Sequence, residues 1–322
     1  MVSKKSLNFR IPIITGTTSS GKTSFAIDFC KVHPKFKIEI INADSLGFYR
    51  GFDIGSAKPS REQQLLVPHH LIDISNPNEQ FSASDYLNLI DEKITEIASK
   101  GAVPLIVGGS GFYLKVLTHG LWKDAKTDQE FRKTLEAKET EVLYESLNGQ
   151  YSSLGLAMSD RVNPGDRYRI IRWLEVIHAA GFPPEVLEKR GDLTHSKYEY
   201  QLFCVDRERE ELVRRIQTRT KNLIRDGIVD ETKKLFELFP DSLALRSVGY
   251  RETLNYLKGI LPQGRKIPAG IVGLEEEINL STRQLVKKQR TWFRGQREME
   301  WFILDKDRPR LWKCLEDLYE KI

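Results

Sequence analysis

Cysteine is scarce in this 322-residue sequence, and the three cysteines, Cys30, Cys204 and Cys314, stand far apart. Their spacing matches no zinc-ligand pattern, and an odd, unpaired set is typical of a reducing compartment, so we expect a cytoplasmic protein. Long apolar runs are also missing. None approaches the roughly 18 residues that a membrane-spanning helix needs, and none follows the basic start MVSKKSLNFR as in a secretory signal. We therefore expect no membrane partner.

Neither sign of charge is in large excess. Lys and Arg together number 50 and Asp and Glu 45, a net charge of +5, which indicates nucleic-acid binding only if the cations cluster. With 40% hydrophobic and 30% charged residues, the composition is that of a globular protein. At about 150 residues per domain, the length predicts two domains.

Short apolar runs alternate with helical periodicity in the first third of the chain. Residues 9–15 (FRIPIIT), 37–43 (KIEIINA) and 102–107 (AVPLIV) have the pattern of buried strands. Helical spacing of apolar residues separates them, most clearly over residues 85–100. Strands that alternate with helices predict an α/β fold with a parallel sheet.

The pattern changes after the first 121 residues. Residues 122–197 are polar, helical in pattern and poor in strands, and a strand-like run returns at 198–205 (YEYQLFCV). We therefore predict a core made of residues 1–121 and 198–322, interrupted by a helical insertion domain at 122–197. Long helices and a late strand at 298–304 (EMEWFIL) complete the second part of the core.

The segment GTTSSGKT matches the P-loop pattern G-x-x-x-x-G-K-[ST] and lies between a predicted strand and a predicted helix. Its glycines allow backbone N–H groups to curl around phosphate oxygens, and the helix N-terminus adds a favourable dipole. Lys22 supplies a cation and Thr23 a hydroxyl suited to Mg²⁺. The alternative is an ordinary Gly/Ser turn that opens a helix. The predicted phosphate-binding residues are Gly16, Thr17, Thr18, Ser19, Ser20, Gly21, Lys22 and Thr23.

P-loop ATPases usually carry an acidic residue at the end of a later apolar strand, but the run PLIVGGSG ends in glycines. This weakens an assignment as a motor ATPase. Asp44 instead follows the second predicted strand, and it should face the same cleft as the P-loop, because the carboxyl ends of parallel strands form the ligand crevice. A carboxylate there can deprotonate an acceptor group. The alternative is that Asp44 caps a helix before Ser45.

Further segments complete a family pattern. They are NADSLGFYRGFDIGSAKP, PHHLIDI, FSASDY, VGGSGFYLKVL, DRYRIIRWLEV, RRIQTRTKNLIRDG, SVGYRE and STRQLVKKQRTWFR. Together with the P-loop, this ordered set spans nearly the whole chain and closely resembles the tRNA dimethylallyltransferases, also called tRNA isopentenyltransferases. The resemblance implies a P-loop NTPase-like parallel-sheet core, an insertion domain that grips the anticodon stem-loop of tRNA, and C-terminal helices.

The same resemblance implies the reaction. A dimethylallyl group would pass from dimethylallyl diphosphate to N6 of the adenosine 3′ of the anticodon, with Mg²⁺ as the cofactor and diphosphate as the product. Eukaryotic relatives often carry a zinc finger after the catalytic region, so the lack of one here predicts a bacterial-type enzyme. We also expect a monomer.

Roles for individual residues follow from the resemblance. Lys22 and Arg219, which maps onto the arginine of the family's RI-x-x-R segment, would neutralise the leaving diphosphate, and Asp44 would accept the amine proton. On periodicity alone, Arg215 and Arg219 lie one helical turn apart and could form a solvated face. The residues implied to contact tRNA are Asp44, Ser45, Leu46, Gly47, Ser110, Arg132, Tyr168, Arg169, Arg172, Arg246 and Arg251.

Three of these residues depart from the family pattern. Ser110 stands where threonine is usual, and Gly47 and Tyr168 stand where glutamine is common. Ser110 keeps the hydroxyl, so a polar contact can survive there. An amide-specific contact is not expected at the other two positions.

A basic segment near the C-terminus gives a second indication of RNA. Residues 281–297 hold six basic residues and no acidic one, and Arg283, Lys287 and Arg290 are spaced to form one stripe if the helix is unbroken. Such a stripe is a natural contact for phosphates. The alternative is a solvated face. We predict that Arg283, Lys287 and Arg290 bind tRNA.

Three other functions compete with this interpretation. A prenyltransferase that acts on free adenine nucleotides would share the P-loop and Asp44 but would not need the basic stripe or the insertion. A small-molecule kinase would have a similar phosphate site. A non-enzymatic RNA-binding protein would leave the P-loop and Asp44 unexplained.

Overall fold

The structure, a computed structural model, describes residues 10–79, 81–122, 128–158, 160–191, 193–260 and 268–321. The strands are β1 (Ile11–Gly16), β2 (Ile38–Asn42), β3 (His69–His70), β4 (Val103–Val107), β5 (Leu121–Trp122), β6 (Leu193–Thr194), β7 (Tyr200–Asp206) and β8 (Met299–Ile303). The helices are α1 (Lys22–Val32), α2 (Arg61–Leu66), α3 (Ala83–Ser99), α4 (Gly111–His119), α5 (Gln129–Glu136), α6 (Thr140–Ser153), α7 (Arg167–Ala180), α8 (Pro184–Arg190), α9 (Arg209–Arg225), α10 (Ile228–Leu238), α11 (Tyr250–Leu257), α12 (Ile271–Arg294) and α13 (Leu304–Tyr319). Short 3-10 helices occupy Pro34–Phe36, Ser45–Phe48 and Leu243–Arg246.

The chain divides into two compact units. The larger unit consists of Met1–Thr118 and Ser196–Ile322, and the smaller unit is His119–His195. The sequence pattern placed the insertion domain at 122–197. Among the described residues, no helix is both long and apolar enough to cross a bilayer.

The larger unit is built on a six-stranded sheet in the order β3-β2-β4-β1-β7-β8, and each neighbouring pair of strands is parallel. Every residue of β1 is buried, as expected for a central strand of a parallel sheet that is covered on both faces. The predicted α/β class with a parallel, P-loop-like core is therefore confirmed. The predicted start of the first strand at Phe9 lies outside the described residues.

Helices α1 and α13 bury one core of the larger unit. Phe25 and Phe29 of α1 pack with Leu311 and Leu315 of α13 in a cluster that also holds Phe203 of the sheet. Because this core rigidly supports β1 and α1, the loop between them is presented at the carboxyl edge of the sheet.

The smaller unit is mostly helical and has its own core. Residues from α5, α6 and α7, among them Leu135, Leu147 and Trp173, form a separate buried cluster. The two-residue strands β5 and β6 pair antiparallel, Leu121 with Thr194. Sequence patterning did not detect this pair, because two residues are too few for alternation to show.

Candidate active site

The loop between β1 and α1 is sharply curled. Gly16 has a φ of +154°, and a Cβ atom there would lie 2.1 Å from the carbonyl oxygen of Val205. Gly21 has a φ of +91°, and the non-glycine Ser19 also has a positive φ of 67°. No side chain of the described residues caps α1, so the N–H groups of its first turn remain able to bind an anion.

Two arginines hold this loop through its carbonyl oxygens. Arg207 Nε donates to the carbonyl oxygen of Ser20 at 2.8 Å, and Arg215 Nε donates to that of Ser19 at 2.9 Å. With these carbonyl oxygens bound to guanidinium groups, the loop is stabilised in its curled form. Arg215 is therefore a support of the loop and not part of a solvated face, which was one alternative for it.

Asp206 is an acidic residue of the site that the sequence analysis missed. It ends β7 and accepts hydrogen bonds from Thr17 Oγ1 at 3.1 Å and from Arg290 Nε at 2.7 Å. The predicted strand stopped at Val205, one residue short, so the apolar run YQLFCVD was not recognised as a strand that ends in an acid. The sequence analysis found no acid at the end of β4, but an acid does stand at the end of β7.

Gln289 is a second unpredicted residue. Its Oε1 accepts from the N–H of Thr18 at 2.9 Å, and its Nε2 donates to the carbonyl oxygen of Gly109 at 3.2 Å. A Cβ atom at Gly109 would lie 3.1 Å from Lys22 Nζ. Gln289 therefore connects the first loop to the glycine turn after β4, and glycine at 109 leaves room for Lys22.

Asp44 follows β2 and precedes a 3-10 helix, but its side chain makes no capping hydrogen bond within the described residues. The turn is held by Asn42 instead. Asn42 Oδ1 accepts from the N–H of Asp44 at 3.1 Å, and Asn42 Nδ2 donates at 3.0 Å to the carbonyl oxygens of Asp44 and Leu71. The carboxylate of Asp44 is thus not used to build its own turn, which removes the support for the capping alternative.

Asn42 also explains the glycine at position 47. A Cβ atom at Gly47 would lie 2.7 Å from Asn42 Nδ2, so any larger residue would displace the amide that shapes the Asp44 turn. The departure from glutamine at position 47 is therefore compatible with this chain's way of holding Asp44.

Lys22 and Arg219 lie close to Asp44, and both charges are held deep in the protein. Burial lowers the pKa of Lys22, the charge of Asp44 opposes this, and the charge of Arg219 lowers it further. Burial likewise lowers the pKa of Arg219, with Asp44 again opposing. Arg219 Nη2 donates to the carbonyl oxygen of Gly55 at 3.1 Å. Its Nε is buried without a hydrogen-bond partner among the described residues.

These groups line a cavity of about 910 Å³ at the carboxyl edge of the sheet, within the larger unit. Eight cationic side chains line it, and Asp44 is the one carboxylate that does so among the described residues. The cationic residues are Lys22, Lys58, Arg214, Arg215, Arg219, Arg246, Arg251 and Lys288. Apolar side chains supply the rest of the surface, including Ile40, Leu46, Ile72, Val107, Leu223, Val248, Ile278 and Leu285. Such a lining suits a ligand with several negative charges and an apolar part.

The cavity brings together most of the residues predicted in the larger unit. Ser45, Leu46, Gly47, Ser110, Arg246 and Arg251 line it with Asp44, and so do Thr18, Ser19, Gly21, Lys22 and Thr23 of the first loop. Gly16, Thr17 and Ser20 lie behind the lining. Thr17 and Ser20 are buried, and they shape the loop from that side.

The three residues of the predicted basic stripe lie on helix α12 in two different settings. Helix α12 is unbroken, and Arg283 and Lys287 are exposed on it. Arg290 differs, because its guanidinium group binds the Asp206 carboxylate through two hydrogen bonds of 2.7 and 3.0 Å. Arg290 is thus also a structural partner of Asp206, a contact that periodicity within α12 could not reveal, and its contact with tRNA stays a prediction. Lys288, which was not singled out, lines the cavity instead.

In the smaller unit, two predicted arginines meet at one carboxylate. Arg132 Nη1 and Arg172 Nη1 each donate to Glu175 at 3.3 Å, and the Glu175 side chain is only 1% exposed. Arg169 Nη1 donates to the carbonyl oxygen of Arg161 at 2.7 Å. Tyr168 is 66% exposed. Glu175 was missed, although an acid flanked by the apolar residues Trp173, Leu174 and Val176 is a signal for a buried charge that needs partners.

The cavity offers few carboxylate oxygens for Mg²⁺ among the residues that line it. The described residues contain no group of three or more His, Cys, Asp and Glu side chains that could hold a metal ion. Mg²⁺ keeps several water ligands and is commonly held by one or two protein oxygens together with substrate phosphates. Thr23 and Asp44 both line the cavity, so the donors present fit a magnesium ion that arrives with a diphosphate.

Comparisons with known proteins agree with this geometry. Residues 47–296 match the family model described as IPP transferase. The chain is 35% identical over 294 residues to a tRNA dimethylallyltransferase of Syntrophobacter fumaroxidans, covering 91% of this chain and 83% of that protein. It is 34% identical to a tRNA dimethylallyltransferase of Geobacillus thermodenitrificans, covering 91% and 90%.

Solved structures support the same assignment. The tRNA isopentenylpyrophosphate transferase of Bacillus halodurans superposes with a TM-score of 0.68 at 29% identity, covering 98% of both chains. A eukaryotic dimethylallyltransferase acting on tRNA has the same fold, with a TM-score of 0.71 at 22% identity over 89% of this chain and 70% of that one. The resemblance that the sequence motifs indicated is confirmed, and the chain belongs to the IPP transferase family.

Proposed function

We propose that this protein transfers a dimethylallyl group from dimethylallyl diphosphate to N6 of the adenosine that follows the anticodon of tRNA, and releases diphosphate. As a member of its family, the protein is a prenyltransferase that modifies tRNA. The donor, the acceptor atom and the roles of individual residues are the proposal. One observation carries it: a single carboxylate, Asp44, faces a cavity lined by eight cations and an apolar surface.

The cationic side of the cavity suits the leaving group. Diphosphate departs readily only when its developing charge is neutralised, and donors fixed in advance do this best. The curled first loop, Lys22 and Arg219 would bind the diphosphate, while the apolar lining would receive the dimethylallyl chain. Bound diphosphate would also relieve the unfavourable burial that lowers the pKa values of Lys22 and Arg219.

The carboxylate side suits the acceptor. In the reaction, the bond from C1 of the donor to the diphosphate oxygen breaks, a bond from C1 to N6 forms, and N6 loses a proton. Asp44 would accept that proton, since its side chain is not used in capping. Mg²⁺, held by Thr23 and the diphosphate oxygens, would supply further charge neutralisation on the leaving group.

Access of the base to the cavity requires a change in the RNA. An adenine stacked in an anticodon loop cannot reach a recessed cavity, so the nucleotide would be turned out of the stack toward Asp44 and Ser110. Exposed Arg283 and Lys287 on α12 would contact phosphates of the same stem-loop.

The proposal is tested by identifying the product. The protein is incubated with Mg²⁺, radiolabelled dimethylallyl diphosphate and bulk tRNA, and the tRNA is digested to nucleosides. We expect the label on N6-dimethylallyl adenosine, and a minihelix with the anticodon stem and loop should also be labelled. Efficient labelling of free AMP would favour the adenine-nucleotide prenyltransferase, and transfer of phosphate from ATP would favour a kinase.

A further inference from the structure

A dense set of hydrogen bonds surrounds one carboxylate that takes no part in the reaction described above. Glu231 of α10 accepts hydrogen bonds from three consecutive backbone N–H groups, those of Asp53, Ile54 and Gly55, at 2.9 to 3.3 Å. It also accepts from Tyr250 Oη at 2.6 Å. Four donors on one carboxylate fix the segment 53–55 firmly against α10.

The ring of Tyr250 packs against the same segment at Gly55. Its side chain is fully buried, and a Cβ atom at Gly55 would lie 2.4 Å from its ring. Burial and the neighbouring Glu231 charge raise the pKa of Tyr250, so its hydroxyl stays protonated and keeps donating. Segment 53–55 is thus held between a carboxylate that binds its N–H groups and a ring that only glycine can approach.

The far side of the same segment holds Arg219. The N–H of Gly55 faces Glu231, and the carbonyl oxygen of Gly55 accepts from Arg219 Nη2 at 3.1 Å. This is the hydrogen bond that orients the guanidinium group, whose Nε is left without a partner among the described residues. Fixing Gly55 therefore fixes the direction in which Arg219 presents its remaining N–H groups to the cavity.

We infer that Glu231 is a positioning residue for diphosphate, acting through segment 53–55 on Arg219. The inference rests on the proposed function, because Arg219 is assigned there to the diphosphate. Glu231 itself lies outside the cavity lining and does not touch the ligand. Its role is to keep the Gly55 carbonyl oxygen where Arg219 needs it.

The direction of the effect separates positioning from simple electrostatics. Removing a negative charge near an anion site should strengthen anion binding by Coulomb's law. If Glu231 positions Arg219, its replacement by the neutral, similarly shaped Gln should weaken anion binding, because a Gln side chain cannot accept four hydrogen bonds as a carboxylate does.

The experiment measures the affinity of the full-length protein for inorganic pyrophosphate with Mg²⁺ by calorimetry. We expect E231Q to weaken binding about tenfold, the scale of losing charge-assisted hydrogen bonds. Tyr250→Phe should weaken it two- to threefold by removing one donor. Glu237→Gln removes the same charge from an exposed position on the same helix and should leave the affinity unchanged.

A double-mutant cycle identifies the route of the effect. In an Arg219→Ala background, E231Q should change pyrophosphate affinity by less than about twofold, since the residue through which it acts is gone. Effects of E231Q and Arg219→Ala that simply add, or tighter pyrophosphate binding by E231Q, would overturn the inference. Failure of the unsubstituted protein to bind pyrophosphate would contradict the proposed function, and the inference with it.

Discussion

The arginines of the two units are held in opposite ways. In the larger unit, Arg219 is oriented by a carbonyl oxygen, its Nε has no partner among the described residues, and burial lowers its pKa. In the smaller unit, Arg132 and Arg172 share the carboxylate of Glu175. Both sets were assigned to substrate from the same family motifs, yet Arg219 forms no ion pair among the described residues, and the nearby charge of Asp44 compensates its charge only in part.

This difference indicates two uses of arginine. A cation without an ion-pair partner in a recessed site maintains a positive potential that attracts a diphosphate. This potential lowers the stability of the protein when no ligand is bound. A cation paired with a buried carboxylate contributes little net potential, but its guanidinium group is fixed in direction. We therefore expect substitutions in the larger unit to affect turnover first, and substitutions in the smaller unit to affect stability first.

The largest effect on turnover should follow the loss of Lys22 or Arg219. Lys22→Ala and Arg219→Ala should each lower turnover by about 10²-fold or more, because each removes charge stabilisation from the departing diphosphate. Binding of tRNA should persist. Steady-state assays at saturating donor check this, and near-normal turnover in either variant would contradict the role given to that residue.

In the smaller unit, Glu175→Gln should reveal the opposite pattern. The free energy of unfolding should fall by roughly 2–4 kcal/mol, because two guanidinium groups lose their shared buried partner. Urea denaturation measures this, with Glu145→Gln, an exposed position on α6, as the control. A loss below about 0.5 kcal/mol would mean that the arginines are not held by Glu175.

Helix α12 carries exposed cations and a cation that is paired with a buried carboxylate, so substitutions on this one helix test the same comparison. The double variant Arg283→Ala with Lys287→Ala should weaken tRNA binding and make the log–log salt dependence shallower by roughly one unit for each lost phosphate contact. Arg290→Ala should instead lower the free energy of unfolding, since the Asp206 side chain, 5% exposed in the protein, would lose its ion-pair partner. An unchanged salt slope in the double variant would remove α12 from the RNA interface.

The smallest effect concerns the stability cost of the buried charge. Because burial lowers the folded-state pKa of Lys22 below 10.5, charged Lys22 destabilises the folded protein at neutral pH. Stability of the unsubstituted protein should rise as pH increases from the lowered pKa toward 10.5. Lys22→Met should therefore raise Tm by a few degrees at pH 7 without ligand, and the gain should shrink as pH approaches 10.5. A lower Tm for the variant at pH 7 would show that Lys22 carries no such cost.

Much of the fold follows from local patterns. Apolar runs predicted β1, β2, β4, β7 and β8 because strands of a buried parallel sheet are continuously hydrophobic. The chemical groups at their ends were harder to find. Asp206 was missed by one residue, and Gln289 and Glu231 gave no signal at all, since their backbone partners lie more than 170 residues away in sequence.

Asp44 shows a second limit of sequence reasoning, which located the residue but left its role open. Its place after a strand predicted a position in the cleft and a role as a base, but the sequence left capping open as the alternative for an aspartate before a serine. The hydrogen bonds of Asn42 decided between them, because a second side chain was found to hold the turn. Contacts of this kind depend on side-chain geometry that no spacing pattern contains.

The role proposed for Asp44 is to accept the proton of the adenine amine inside the cationic cavity. Asp44→Asn keeps the shape of the side chain and its capacity to accept a hydrogen bond, but the amide cannot take up a proton at neutral pH. Single-turnover rates with pre-bound tRNA should fall by about 10²- to 10⁴-fold, while tRNA affinity shifts little and the anionic donor binds no more weakly than before. A single-turnover rate within about threefold of the unsubstituted protein would contradict the claim.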